Sequence, residues 1–286
     1  MKVEKSGSKV LEASDMDVFD RSKKLGWFDL DTVRSARVVV LGCGALGNEV
    51  VKDLLLSGYS DLTLVDMDTV APSNLNRCIM FTPEDAEKGT PKVDALARAA
   101  LRSMPFANAR IRTVPSRVQD LDDAFFKGFD LALGCLDNVD ARLHVNAHCM
   151  KAGIPLIDGG TDAMRGKVQV VLPTGGPCLE CTMNRSHMRV LEERYSCSGR
   201  DVTFFTPRLA AEITTTSIVA AMQVREALKV THGLREAVAR GIIYYDGMGN
   251  GCEVLEAERS PNCPNHGAIV AVTVASGGEG GTTSVR

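Results

Sequence analysis

The apolar run Val38-Val39-Val40-Leu41 leads directly into Gly42-Cys43-Gly44-Ala45-Leu46-Gly47, and nothing else in the chain restricts its fold so sharply. A strand that turns on glycines into a helix brings backbone N–H groups and a helix N-terminus to bear on a phosphate. Asp66 follows Gly47 by 19 residues, the interval at which an acidic side chain accepts hydrogen bonds from ribose hydroxyls; its plainer reading is a turn residue at a strand end. This much suits any dinucleotide-binding sheet. Asn74, Arg77 and Lys92 narrow the choice. A pyrophosphate joining two nucleosides is served largely by backbone and helix dipole, whereas a triphosphate undergoing cleavage needs cationic side chains and magnesium. The reading is therefore ATP and not NAD.

Segments rich in Val, Ile and Leu at 37–41, 61–65, 129–133, 154–157 and 167–172 alternate with helical patterns at 45–57, 91–103, 139–152 and from 207 to about 230. The alternation predicts an α/β fold, doubly wound and Rossmann-like, with a mostly parallel sheet. At 286 residues and 44% hydrophobic content the chain can bury one large core or two modest ones. Its expected organisation is an N-terminal arm over 1–20, one domain over 21–275 containing a crossing loop at 182–206, and a Gly-rich tail at 276–286 expected to be disordered. A formal charge of -3 gives no electropositive footprint for nucleic acid. No apolar run reaches the roughly 18 residues a bilayer demands, and the first 20 residues lack the apolar centre of a secretory signal. The expectation is a cytoplasmic protein that binds neither nucleic acid nor membrane.

The polar stretch from Asp66 to Arg77 can fold Asn74 and Arg77 back over the phosphates, where Arg77 would neutralise developing charge; simple loop solvation is the alternative. Lys92 falls in the first turn of a predicted helix, a poor electrostatic position for a cation unless an anion lies beside it. Asp137 follows a strand at the same sheet edge and is placed to hold magnesium, or else to cap the next helix. Cys178-x-x-Cys181 and Cys263-x-x-His266 are two half-sites whose four soft or borderline ligands suit a closed, structural tetrahedral zinc site. Nine cysteines cannot all pair within one chain, and reduced thiols are expected. Cys197, between Arg194 and Arg200 and before Gly199, is the best candidate nucleophile, with an inert loop cysteine as the alternative. Cys43, Cys78, Cys135 and Cys149 read as core fillers and Cys252 as a strand residue. His144, His148, His187 and His232 read as helix-surface, loop or cap residues without spaced partners.

At these residues the chain resembles the ubiquitin-activating enzyme superfamily, which includes ThiF and MoeB, and its pattern is most similar to the catalytic subunit of a heterodimeric activating enzyme for a ubiquitin-like modifier. The motifs are Gly42-Cys43-Gly44-Ala45-Leu46-Gly47, Asp66-Met67-Asp68-Thr69, Ser73-Asn74-Leu75-Asn76-Arg77, Leu136-Asp137-Asn138, Pro155-Leu156-Ile157-Asp158-Gly159-Gly160-Thr161 and Cys178-Leu179-Glu180-Cys181-Thr182. The resemblance covers about Phe19 to Val230 and the final Cys/His pair. It implies a nucleotide site of Gly42, Gly44, Gly47, Asp66, Asp68, Asn74, Arg77 and Lys92, with magnesium at Asp137. Arg21 matches an N-terminal arginine that reaches the partner's ATP in a dimer, and Cys197 matches the cysteine that receives the modifier as a thioester. The implied activity is adenylation of a ubiquitin-like protein's C-terminus, then thioester formation and transfer to a conjugating enzyme. The nearest alternative is activation of a sulfur-carrier protein for thiamin or molybdopterin synthesis. An NAD-dependent dehydrogenase and a catalytically silent scaffold are the rivals from other classes. The chain departs from the family in ending its second knuckle with His266 where cysteine is usual, and in placing Ser198 where threonine is usual. Only about 26 residues separate Cys181 from Pro207, which leaves little room for a long inserted cysteine domain. With neither a second adenylation half nor a ubiquitin-fold domain in sight, a compact homodimer is expected.

Overall fold

A computed structural model describes residues 17–182 and 212–266. Eight strands form a single sheet: β1 (Arg37–Leu41), β2 (Asp61–Val65), β3 (Arg110–Val114), β4 (Leu131–Gly134), β5 (Leu156–Asp162), β6 (Arg165–Val171), β7 (Gly241–Asp246) and β8 (Gly251–Glu256). The helices are α1 (Asp20–Lys23), α2 (Leu30–Ser35), α3 (Ala45–Leu56), α4 (Pro83–Lys88), α5 (Lys92–Ser103), α6 (Asp123–Phe126), α7 (Val139–Ala152) and α8 (Ile213–Thr231). The strand order is β3-β2-β1-β4-β5-β6-β7-β8. The strands from β3 through β5 run parallel, and β6, β7 and β8 add to them antiparallel. The predicted doubly wound, mostly parallel α/β sheet is therefore what the chain adopts. The chain leaves β1 toward β2 on one side and returns to β4 on the other, so a crevice opens beyond the carboxyl ends of β1 and β4.

Both faces of β1 are covered, which is why its sequence is a continuous apolar run without alternation. Val38 and Val40 pack with α3, α5 and α8 residues such as Val50, Leu96 and Val224. Val39 and Leu41 point to the opposite face, among Phe126, Val145 and Cys149 of α6 and α7. These four apolar side chains of β1 are fully buried, and at about 1.5–3 kcal/mol each they make the strand a principal anchor of the core. Cys43, Cys78, Cys135 and Cys149 are buried as expected, whereas Cys252 lies exposed on β8. Among the described residues no helix is long and apolar enough to cross a membrane.

Two regions of the sheet escape the periodicity argument. Edge strand β3 has the sequence RIRTV; Arg110 and Arg112 both pair with Asp61 on β2, so its outward residues are held by charge and it reads as polar. The β7–β8 hairpin completes the other edge, and all six residues of β8 are exposed. Gln223 of α8 stitches the centre together. From a fully buried position its Nε2 donates to the carbonyls of Gly134 on β4 (2.9 Å) and Ile157 on β5 (3.0 Å). Replacing it by an apolar residue of similar size leaves two buried acceptors without this donor. Gln223→Leu is expected to lower stability by about 1–3 kcal/mol, seen as a reduced urea midpoint at unchanged slope; an unaltered midpoint would contradict this role.

Candidate functional site

The glycine loop is held by the sheet that it leaves. Gly42 N–H donates to the Val65 carbonyl of β2 (2.8 Å) and Cys135 N–H donates to the Leu41 carbonyl (2.8 Å), so the ladders on both sides of β1 continue into the turn. Gly42 has φ +97°, and a Cβ there would lie 2.5 Å from the Cys135 carbonyl oxygen. A Cβ on Gly47 would lie 2.0 Å from the Gly42 carbonyl oxygen. These two glycines are required by backbone packed against backbone. Gly44 differs, because its φ of -72° is open to any residue and an added Cβ would meet nothing within 4 Å. The space in front of Gly44 is open, and an added methyl group would project into it.

Gly44 is also the N-cap of α3, and it brings no capping side chain, nor does the first turn hold an acidic residue. By contrast Asp29, Thr82, Asn138 and Glu212 each cap their helices through side-chain oxygens. No side chain therefore caps the first-turn amides of α3, and a helix start of this kind can receive a phosphate. Asn48, which the motif reading passes over, fixes this loop from a fully buried position. Its Nδ2 donates to the carbonyls of Cys43 (3.1 Å) and Gly44 (3.0 Å), while its Oδ1 accepts from Met80 N–H (3.1 Å). A polar residue in the first turn after the glycines was the signal available for it.

Asp66, at the end of β2, accepts Cys43 N–H (2.7 Å) and Asp68 N–H (2.8 Å) on its two oxygens. It braces the glycine loop through the first of these bonds. Burial pushes its carboxyl above the ordinary carboxylate range, against the pull of Lys92 and the two amides. Lys92 is the first residue of α5, and the anion that its position calls for is internal: Nζ bonds to Asp68 Oδ2 at 2.7 Å. Burial works to lower its pKa, but the Asp66 charge and the Asp68 bond outweigh that and hold it raised. Lys92 thus stays a cation beside the loop whether or not a phosphate is present.

Asn74 closes the 3₁₀ turn Pro72–Asn74, its Oδ1 accepting Ala71 N–H (2.9 Å). Arg77 is half-buried and bonds to the Ser73 carbonyl and to Asn76 Oδ1; among the described residues it has no carboxylate partner. At the end of β4 the cap of α7 is Asn138, whose Oδ1 accepts Ala141 N–H (2.8 Å). That removes the capping alternative for Asp137, which is exposed and lies within the same sheet edge. Arg21 is exposed on α1. Cys197, with its neighbours Arg194, Ser198 and Arg200, His187, the crossing loop and the tail, lies outside the described residues.

Sequence-distant thiols converge on the other face of the sheet. The ligand atoms of Cys178, Cys181, Cys263 and His266 all lie within 4.8 Å of one another, with Cys178 Sγ 3.8 Å from Cys181 Sγ and 3.5 Å from Cys263 Sγ. His266 Nε2 is buried without a hydrogen-bond partner. An orphaned imidazole nitrogen among three thiols is a costly arrangement for a bare core and suits a tetrahedral zinc site. The His266 departure from cysteine keeps the ligand set intact.

With this geometry in view, comparison with known proteins is direct. The ThiF family profile matches residues 19–265, and the chain belongs to the ThiF family. The chain is 35% identical over 177 residues to the NEDD8-activating enzyme E1 catalytic subunit of Schizosaccharomyces pombe, covering 57% of this chain and 39% of that protein. It is 31% identical over 157 residues to SUMO-activating enzyme subunit 2 of Dictyostelium discoideum, covering 55% of this chain and 23% of that protein. The chain thus spans well under half the length of these curated relatives. Among solved structures, E. coli MccB with ATP superposes with a TM-score of 0.69 at 19% identity, over 88% of this chain and 75% of that one. The microcin C7 biosynthetic enzyme MccB with N-formylated MccA gives 0.71 at 19% identity, over 88% and 76%. These structural likenesses establish the shared fold.

The different reasons for the three glycines can be separated by mutation. Gly44→Ala is expected to fold with wild-type stability and to lose nucleotide affinity, measured by calorimetry with ATP, whereas Gly47→Ala should not yield a stable protein. Wild-type ATP affinity in Gly44→Ala would contradict this use of the open space. For the metal group, Cys263→Ser is expected to drop bound zinc from one equivalent to none by elemental analysis, and retention of a full equivalent would contradict ligation.

Proposed function

We propose that this ThiF-family chain uses ATP to adenylate the C-terminal carboxylate of a ubiquitin-like protein and then takes the acyl group onto Cys197. The observation that supports the first half is the start of α3, which no side chain caps, beside the open space at Gly44, with the Lys92 ammonium held next to Asp66 and Asp68. Similarity to subunits of NEDD8- and SUMO-activating enzymes supports a ubiquitin-like protein as the substrate.

In this reading the first-turn amides of α3 and the Gly42–Gly47 loop receive phosphate oxygens and Asp66 accepts the ribose hydroxyls. A carboxylate oxygen of the modifier attacks the α-phosphorus and pyrophosphate leaves with the electron pair of the broken P–O bond. Arg77 and Lys92 stabilise the negative charge that builds on the phosphates, Lys92 exchanging Asp68 for phosphate. Asp137, released from helix capping by Asn138, is the residue that would hold magnesium, whose chemistry is to screen the triphosphate charge. The Cys197 thiolate then attacks the acyl carbon and AMP departs, leaving a thioester for a conjugating enzyme. Arg21 from a second copy completes the phosphate contacts in a homodimer. The arm at 1–20 and the domain at 21–275, with its crossing loop at 182–206, divide this work between dimer contact and chemistry, in the cytoplasm.

The division between the two steps is testable with ATP–pyrophosphate exchange and reductant-sensitive gels on candidate modifiers. Asp137→Ala is expected to lose exchange by about a hundredfold or more. Cys197→Ala should keep exchange and lose only the thioester band. Equal loss of both activities in both variants would overturn the assignment. Exchange with no thioester, accompanied by thiocarboxylate formation from a sulfur donor, would transfer the protein to the sulfur-carrier reading.

A further inference from the structure

Helix α7 carries a second constellation on the side away from its contact with the cysteine group. His144 and His148 stand one turn apart, and the expectation that they lack spaced partners fails. Their ring centroids are 4.2 Å apart with planes tilted 42°. Each ring is oriented by an oxygen from the segment packed against α7. His148 Nδ1 bonds to Asp123 Oδ1 at 2.7 Å, and the ring stacks on Phe126 with an interplanar angle of 18°. His144 Nε2 bonds to the Leu121 carbonyl at 3.3 Å. Both oxygens are acceptors: the Asp123 bond to Nδ1 leaves Nε2 of a neutral His148 ring with its lone pair, while the His144 ring meets the carbonyls of both Leu121 and Val118. One helical turn earlier stands Asp140, which accepts Gln119 Nε2 at 3.2 Å.

Two histidines at i and i+4 on one helix face, each oriented by a carboxylate or carbonyl behind it, form the arrangement that binds transition metals. Imidazoles sharing one ion at about 2.0–2.1 Å lie close together, and these rings are already in contact. The pair is half-buried, within reach of solvent. Ligation needs neutral rings, and His144 is held below its ordinary pKa first by burial and then by the neighbouring His148. Lys151 pairs with the other oxygen of Asp123.

We propose that His144 and His148 bind a divalent transition-metal ion at a site separate from the Cys178/Cys181/Cys263/His266 group, with water completing the coordination. The inference does not depend on the adenylation reading. Nickel(II) is the probe, because imidazole suits it and it binds more tightly than cobalt or iron at nitrogen sites. The full chain, first loaded with zinc, is titrated with nickel(II) at pH 7.5 by calorimetry while retained zinc is measured. One nickel per chain is expected with zinc retained. His144→Ala and His148→Ala should each weaken nickel binding at least tenfold. Asp123→Asn, which keeps both ligands but removes the carboxylate behind His148, should weaken it about tenfold. Retained zinc in each variant reports that the fold survives. Absence of nickel uptake by the zinc-loaded wild type, uptake only as zinc leaves, or undiminished affinity in His148→Ala and Asp123→Asn would each overturn the proposal.

Discussion

The crevice beyond β1 and β4 rests on one backbone contact, the approach of the Gly47 Cα to the Gly42 carbonyl, with Gly42 in turn pressed against the Cys135 carbonyl. No side chain fits at either place, so the start of α3 is drawn down onto the end of β1. The cost of this geometry falls on a left-handed glycine and is offset by the burial of β1 on both faces and of Leu46, Val50, Val51, Leu54 and Leu55 along α3. Because the contact fixes where α3 begins, it also fixes where the first-turn amides point. Asn48 then holds the loop from behind through both of its side-chain functions.

Around that fixed loop the charges fall into two groups. Asp66, Asp68 and Lys92 satisfy one another and the loop amides, which keeps a raised-pKa carboxylate and a half-buried ammonium in place in the absence of any ligand. Arg77 and Asp137 take no part in that network. In the proposed adenylation this arrangement would hold the orienting groups rigid and leave Arg77 and Asp137 available to the developing charge, and such preorganisation lowers the reorganisation required during a polar reaction.

Much of this was legible from residue order. The strand–glycine–helix turn, the parallel strands and α7, which runs from Val139 to Ala152 as periodicity predicts, depend on local patterns of apolar and turn residues. The convergence of Cys178, Cys181, Cys263 and His266 was legible because paired spacing is itself a geometric constraint. What was not legible depended on partners distant in sequence. Strand β3 is hidden because Arg110 and Arg112 are held by Asp61 rather than by an apolar face. The oddity of Lys92 pointed correctly to an anion, but the first anion is the chain's own Asp68. Whether Asp137 or Asn138 caps α7 turns on one residue of helix phase. The histidine pair on α7 is spaced for contact, yet only the packing of residues 121–126 against it shows that both rings are oriented.

The two halves of the cysteine group come from opposite ends of a long excursion, Cys178 and Cys263 being 85 residues apart. Between them the chain lays down α8, which packs across the centre of the sheet, and the β7–β8 hairpin that forms its far edge. A single ion joining the two knuckles would act as a clasp on that whole excursion, and closing a loop of this length removes roughly 4–5 kcal/mol of chain entropy from the unfolded state. A central helix and a sheet edge would therefore share one thermodynamic fastening, on the face of the sheet opposite α3 and α5.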